Sequence, residues 1–301
     1  MPKLSVIMPV FNAGDPLRKA VYSVLAWMPK DAELITLDDG SSDGSLQLLR
    51  ELAQNDRRLK VMANEVNIGV ARSLNRLLDN CDSPLVARMD ADDIDLPWRY
   101  LTEMQGLALH RADLVFATVV HYAPEHHKLW PQLPYGIDDD VAPLMLLLGN
   151  PFVHSSMLAD TSVLRAVGGY RNVPSEDYDL WMRLVLAGRR IRRLPVHALI
   201  YRHHARQVTS NADWALSARS NPMTADIHAE LAYHLIRWKG SVFAAQRGPL
   251  ATGRDIHDLS AFLTQVSGRA AELGLGKSRA LRREIGRQAA RLSTARRHLF
   301  P

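Results

Sequence analysis

Short apolar runs alternate with amphipathic stretches through the first 120 residues. Leu4–Val10, Glu33–Leu37, Leu59–Ala63, Leu85–Met89 and Leu114–Val120 each read as a buried strand. Between them, Pro16–Trp27, Ser45–Leu52, Val70–Leu78 and Trp98–Leu109 repeat apolar residues at helical spacing. Leu17, Ala20, Val21, Val24 and Leu25 share one face of the first of these. Strands separated by helices imply βαβ units and a parallel sheet, and unbroken apolar runs imply cover on both sheet faces. From 121 to 150 the pattern loosens, apart from a helix near Ala142–Leu148. It then predicts a strand at His154–Ala159, a helix at Thr161–Val167, a turn at Gly168-Gly169, a helix at Glu176–Ala187 and a strand at His197–Arg202. Beyond 211 it is helical and increasingly basic, with breaks at Gly248-Pro249 and Gly274–Gly276. The expected organisation is therefore an α/β domain over 1–210 and a basic helical extension over 211–301, with a mostly parallel sheet flanked by helices.

Open α/β sheets bind ligands beyond the carboxyl ends of their strands. Polar clusters follow the first four strands: Phe11-Asn12, Asp38-Asp39-Gly40, Asn64–Gly69 and Asp90–Asp93. Four clusters on one rim make a site. In Met89-Asp90-Ala91-Asp92-Asp93 the carboxylates repel one another, and a divalent cation carrying a diphosphate answers that repulsion. Mg²⁺ and Mn²⁺ suit such oxygen ligands. The other reading of these acids is a solvated turn, or an N-cap for the helix after Pro97.

Composition narrows the class. With 47% hydrophobic and 23% charged residues the chain is ordinary for a soluble globular protein. Its one cysteine, Cys81, excludes an intrachain disulfide, fits a reducing compartment and reads as core filling. No apolar run reaches the about twenty residues of a transmembrane helix, and the short N-terminal run ends in Pro9, unlike a secretory signal. A cytoplasmic location is the default expectation. The net charge of +5 is uneven: eight Lys or Arg and one acid, Glu284, lie between Lys277 and Pro301. That end suits anionic lipid, nucleic acid or plain solvation, and charge alone does not choose.

Seven separated motifs, in order, resemble family 2 glycosyltransferases, the inverting, nucleotide-sugar-dependent class with the GT-A fold. They are Pro9-Val10-Phe11-Asn12, Asp38–Ser45, Asn67–Arg72, Ala87–Asp93, Asn150–Ser155, Glu176–Trp181 and Tyr201–Gln207, and the resemblance spans about residues 3–210. The Arg-Met-Asp-Ala-Asp-Asp wording resembles bacterial enzymes that build O-antigen or capsule. The resemblance implies that Pro9, Phe11 and Asn12 lie against the nucleotide base, with Phe11 lacking the hydroxyl of the tyrosine common at that position. Asp39 would accept the uracil imide hydrogen, while Asn67, Gly69 and Arg72 would line the nucleotide. Asp90 would contact ribose. Asp92 would hold Mn²⁺ or Mg²⁺ together with His204, with His203 a competitor. Glu176-Asp177 resembles the family's acceptor-side pair, whose aspartate implies Asp177 as the catalytic base over Glu176 and Asp179; positions 176 and 179 share a helix face that 177 does not, so these acids cannot all line one pocket. Plainer roles stay open: turn and cap chemistry at Asp38, Asp39 and Asp43, a surface charge at Arg72, first-turn acids at Glu176 and Asp177, and a core tryptophan or a sugar floor at Trp181. His154 would belong to the acceptor side or support it.

The implied partners are a UDP-sugar donor and a glycan or lipid-linked acceptor, with residues 277–301 available to an anionic inner-membrane face; no nucleic acid is expected. Two alternatives remain. A nucleotidyltransferase would carry a basic, glycine-rich first loop, which Asn12-Ala13-Gly14-Asp15 is not. A non-catalytic nucleotide-sugar-binding scaffold would have no need of acids at 92 and 177.

Overall fold

The computed structural model describes residues 2–205, 207, 211–247 and 252–299. The expected break at Gly248-Pro249, Arg206 of the late motif, and Phe300 and Pro301 at the basic end lie outside the described residues. The chain divides into two compact units. One takes 1–134, 152–172 and 189–205; the other takes 135–151, 173–188 and the residues from 206 onward.

The first unit is an α/β sheet. β1 (Leu4–Val10), β2 (Ala32–Asp38), β3 (Leu59–Ala63) and β4 (Leu85–Arg88) alternate with α1 (Pro16–Trp27), α2 (Ser45–Asn55) and α3 (Val70–Asp79). β1 and β2 are buried almost throughout because both sheet faces are covered, the condition that produces continuous apolar strands. Each helix turns its apolar stripe inward: Leu17, Ala20, Val21 and Val24 on α1, and Leu74, Leu77 and Leu78 on α3. β3-β2-β1-β4 are parallel, and Val10 lies level with Asp38, which lies level with Ala63, so their carboxyl ends share one rim.

Beyond β4 the sheet becomes mixed. β5 (Ile94–Asp95), α4 (Arg99–His110), β6 (Leu114–Ala123), β7 (Lys128–Pro131), β8 (Leu158–Asp160), α6 (Thr161–Ala166) and β9 (Ile191–Arg202) belong to the same unit, as α5 (Ala142–Leu148) does not. The strand order continues β4-β8-β6-β9-β5, with β7 on β6. β8 is antiparallel to both β4 and β6, and β6 is parallel to β9, so β9 also ends on the rim shared by β1–β4.

Three local differences from the sequence pattern have physical causes. The strand expected at His154–Ala159 opens as a 3₁₀ turn over His154–Ser156, where the Ser156 hydroxyl bonds the Val153 carbonyl and offers the backbone an alternative to the ladder. β9 begins at Ile191 rather than His197, because Pro195, which has no N–H, is absorbed where its register with β6 shifts. β5 has two residues, too few for any periodic signal.

The second unit is helical: α5, α7 (Glu176–Leu186), α8 (Ala212–Ser220), α9 (Pro222–Ile236), α10 (Phe243–Arg247), α11 (Gly253–Glu272) and α12 (Arg279–Leu299). Trp181, Phe243, Phe262 and Leu281 form part of its buried core. Thr252 and Asp255 close a capping box on α11, and Asn221 caps α9 through the Thr224 amide. Three carbonyls at the end of α5, which the helix itself cannot satisfy, are each met by side chains. Leu146 accepts from the Tyr178 hydroxyl, Leu147 from Gln246 at 2.7 Å and His228 at 3.2 Å, and Leu148 from Gln288 at 3.2 Å.

Candidate active site

On the rim of the sheet, two loops are laced together before any ligand arrives. Asn12 has a left-handed backbone (φ 46°); its amide donates to Ser41 Oγ at 2.9 Å, and its Oδ1 accepts from the Ser42 amide at 2.9 Å. Asp43 accepts from the Gly14 amide and from the Ser45 amide and hydroxyl, with Gly44 in the N-cap position of α2. Burial opposes the Asp43 charge, but the Ser45 and Gly14 donors outweigh it and lower its pKa.

Asp39 is buried and ties β2 to the loop after β3. Its carboxylate accepts from Asn64 Nδ2 at 2.5 Å and from the amides of Ile68 and Gly69, each at 2.9 Å. Three donors occupy three of about four lone-pair positions of a carboxylate. Gly40 allows the close approach of the two loops: a Cβ there would sit 2.8 Å from the Asn67 nitrogen, at a φ of 73°. Around this lock, Phe11 is 50% exposed and Pro9 half-buried. Asn67 Oδ1 accepts from the Gly69 amide at 3.0 Å. Arg72 is exposed on the first turn of α3 and makes no ion pair among the described residues. Asp38 accepts from the Ser41 amide at 3.0 Å, a turn-forming contact.

The acids after β4 lie together. One ligand atom from each of Asp90, Asp92 and Asp93 falls within 4.8 Å of the others. Asp90 is paired through both its oxygens with the Arg88 guanidinium. Asp92 Oδ2 meets His204 Nε2 at 2.6 Å, across 112 residues of sequence. Asp93 is buried; its Oδ1 accepts from the Arg202 amide at 2.9 Å, its Oδ2 is enclosed, and the Ser155 hydroxyl lies near enough to favour its charge. Burial first, then the Asp90 and Asp92 charges, pushes the Asp93 carboxyl well above the usual range. An enclosed carboxylate beside two more carboxylates and an imidazole suits a hard divalent cation, and Asp90, Asp92, Asp93 and His204 are the groups able to hold one.

β5 explains how residues so distant in sequence meet. Immediately after Asp93 the chain pairs antiparallel with β9, Ile94 opposite Ile200 and Asp95 opposite Leu199, which draws the end of β9 onto the acids. A buried network then fixes this loop. Arg99 bonds Asp95, reaches Glu103 at 3.3 Å and donates to the Arg88 carbonyl at 2.7 Å, while the Tyr100 hydroxyl donates to Asp95 at 2.5 Å. Burial pushes the Glu103 carboxyl up to about 8. The spacing of Asp95, Arg99 and Glu103 by fours was the available sequence signal for this network.

His203 goes elsewhere. Its ring stacks on Trp130 with centroids 5.2 Å apart, and its Nε2 lies 2.9 Å from His121 Nδ1. Burial and neighbouring histidine charge lower both imidazole pKa values. No sequence pattern pointed to this Trp130–His121–His203 cluster. His154 is buried against the Tyr170 hydroxyl at 2.9 Å, and burial holds its pKa well below the ordinary value.

In the helical unit, the acids of α7 separate by environment. Asp179 is fully buried and paired with Arg183 at 2.7 Å, a packing role. Trp181 is fully buried, which makes it core and not an exposed floor. Glu176 and Asp177 are half-buried in the first turn. Asp177 accepts from the Tyr178 amide and from Asn150 Nδ2, each at 2.7 Å.

The profile described as Glycosyl transferase family 2 matches residues 5–165. EpsE of Bacillus subtilis, named as a glycosyltransferase, is 32% identical over 196 residues, covering 62% of this chain and 68% of EpsE. The amylovoran biosynthesis glycosyltransferase AmsE of Erwinia amylovora is 27% identical over 214 residues, covering 70% and 80%. Among solved structures, S. aureus TarS 1–349 in complex with UDP-GlcNAc aligns with a TM-score of 0.63 at 19% identity, over 98% of this chain and 92% of that one. The mannosyltransferase PcManGT from Pyrobaculum calidifontis, in complex with GDP-Man and Mn2+, aligns with a TM-score of 0.58 at 18% identity, over 98% and 86%. These two likenesses establish the GT-A type of fold. The family match takes in β1 to β4 with all four of their rim loops, and with it the chain belongs to glycosyl transferase family 2 and is a glycosyltransferase.

Proposed function

We propose that the protein is a metal-dependent, inverting glycosyltransferase that moves a hexose-type sugar from a UDP-sugar to a hydroxyl of a glycan or lipid-linked acceptor in surface polysaccharide synthesis. The observation that carries this reading is the junction of Asp90, Asp92 and the enclosed Asp93 with His204. Bound Mn²⁺ or Mg²⁺ supplies charge neutralisation for the departing diphosphate. Asp90, Asp92 and His204 hold that end of the donor, and Arg88 keeps the Asp90 carboxylate oriented toward ribose. The remaining acceptor position of Asp39 suits the imide N–H of uracil, and Phe11 offers an apolar surface beneath the ring, with Pro9, Asn12, Asn67, Gly69 and Arg72 around it. Asp177, assisted in charge by Glu176, takes the proton from the attacking hydroxyl.

The assignment to polysaccharide synthesis draws on the amylovoran role in the name of AmsE, and the donor class on the UDP-GlcNAc bound to TarS. No helix among the described residues is long and apolar enough to cross a membrane. The proposed location is cytoplasmic, with peripheral attachment through α12. Leu281 and Gln288 on that helix are buried, while Arg279, Arg282, Arg283, Arg287 and Arg297 are exposed. With its apolar face turned inward, α12 meets an anionic surface by charge and not by insertion. Hydrolysis of a panel of UDP-, GDP- and dTDP-sugars, with and without Mn²⁺, tests the main reading. UDP-sugars consumed only with added metal support it; equal rates after chelation, or a preference for GDP-sugars, overturn it.

A further inference from the structure

The helical unit holds the Asp177 carboxylate from both oxygens. Oδ1 accepts from the backbone amide of Tyr178, and Oδ2 accepts from the Asn150 side-chain amide at 2.7 Å. An aspartate's terminal torsion is broad and roughly two-fold, so an unheld carboxylate samples many rotations. A general base works only when a lone pair is aligned with the proton it removes.

Asn150 is itself held in place. It follows Gly149, whose φ of 149° lets the chain leave α5 sharply. The end of α5 is clamped just before it, by Tyr178 on Leu146, by Gln246 and His228 on Leu147 and by Gln288 on Leu148. Tyr178 thus serves twice, its amide on Asp177 and its phenol on α5, which sets the spacing between Asp177 and the Asn150 loop. Three of the clamping side chains come from α9, α10 and α12, beyond the stretch that the family profile matches.

We infer that Asn150 is a positioning residue for the Asp177 carboxylate, seated by the C-terminal helices. The inference rests on the reading of Asp177 as the base. Asn150 then fixes the rotation of that carboxylate, and the C-terminal helices give Asn150 its position.

The test measures steady-state hydrolysis of the donor consumed fastest in the panel, with Mn²⁺ present and water in the acceptor's place. Asn150→Leu removes the donor at similar volume and is expected to lower kcat roughly 10–100-fold with KM within about twofold. Asn150→Gln, which keeps the amide, is expected to recover part of that loss, and thermal unfolding reports whether each variant is folded. Asn150→Asp, of the same size, serves if the leucine variant does not fold, with the same expected loss. Combined with Asp177→Asn, Asn150→Leu should add almost nothing, because its effect runs through the Asp177 carboxylate. If Asp177→Asn alone keeps near-normal turnover, the base reading fails. If Asp177→Asn is crippled while Asn150→Leu is normal, or if the two losses multiply, the base reading stands and the role of Asn150 is overturned.

Discussion

The end of α5 in the helical unit and the acids on the rim of the sheet treat their polar groups in opposite ways. In the helical unit the carbonyls at the end of α5 are taken up by Tyr178, His228, Gln246 and Gln288, so burial there costs no hydrogen bonds. On the rim of the sheet, three carboxylates lie together, Asp90 paired with Arg88 and Asp92 bonded to His204, and Asp93 is enclosed beside them. A saturated arrangement stabilises and fixes position. An under-compensated one stores affinity for a cation, because the charge it lacks is the charge a ligand brings.

The contrast breaks most sharply at Asp92. Asp92→Ala should abolish metal-dependent UDP binding and lower turnover about 10³-fold, since the Lewis-acid role is worth several kcal/mol; unchanged UDP affinity with Mn²⁺ in calorimetry would refute it. Next, Asp177→Asn should lower turnover roughly 10²-fold while UDP still binds, as expected for loss of a general base. Turnover near that of the native chain rejects that role. The saturated side answers in stability instead of turnover. Gln246→Leu leaves the Leu147 carbonyl with only the longer His228 contact and should cost roughly 1–3 kcal/mol in denaturant unfolding; an unmoved midpoint would show that the α5 clamp is slack. The smallest effect belongs to the outer face of α12. Arg282→Glu with Arg283→Glu should weaken sedimentation with anionic vesicles, and added salt should do the same to the native chain, with donor hydrolysis unaffected. Equal vesicle binding by both forms removes the membrane attachment.

Much of the sheet was legible because its strands are covered on both faces. β1, β3, α1 and α5 have the bounds the apolar pattern predicts, since for them local periodicity and tertiary burial demand the same thing. The loops carrying Asn12, Asp39, Asn67 and Asp90–Asp93 were legible as a group for a related reason, that parallel strands bring their carboxyl ends to one edge. β5, β7 and the first half of β9 were not. A two-residue strand has no period, and Pro195 argues locally against the strand it interrupts. The Trp130–His203 stack was hidden too, because side-chain pairing of that kind leaves no trace in hydropathy, whereas the Asp95–Arg99–Glu103 network left its signal only in spacing by fours.

By itself, the order of residues determined the α/β class, the parallel half of the sheet and the inventory of acids and histidines available for chemistry. Those properties follow from chain-local periodicity and from residue type. Only the tertiary structure decided which members of that inventory are neighbours: His204 and not His203 at Asp92, Asn150 at Asp177, and Asp179 and Trp181 withdrawn into the core. Such choices depend on how strands return and helices dock, across separations that no local pattern spans.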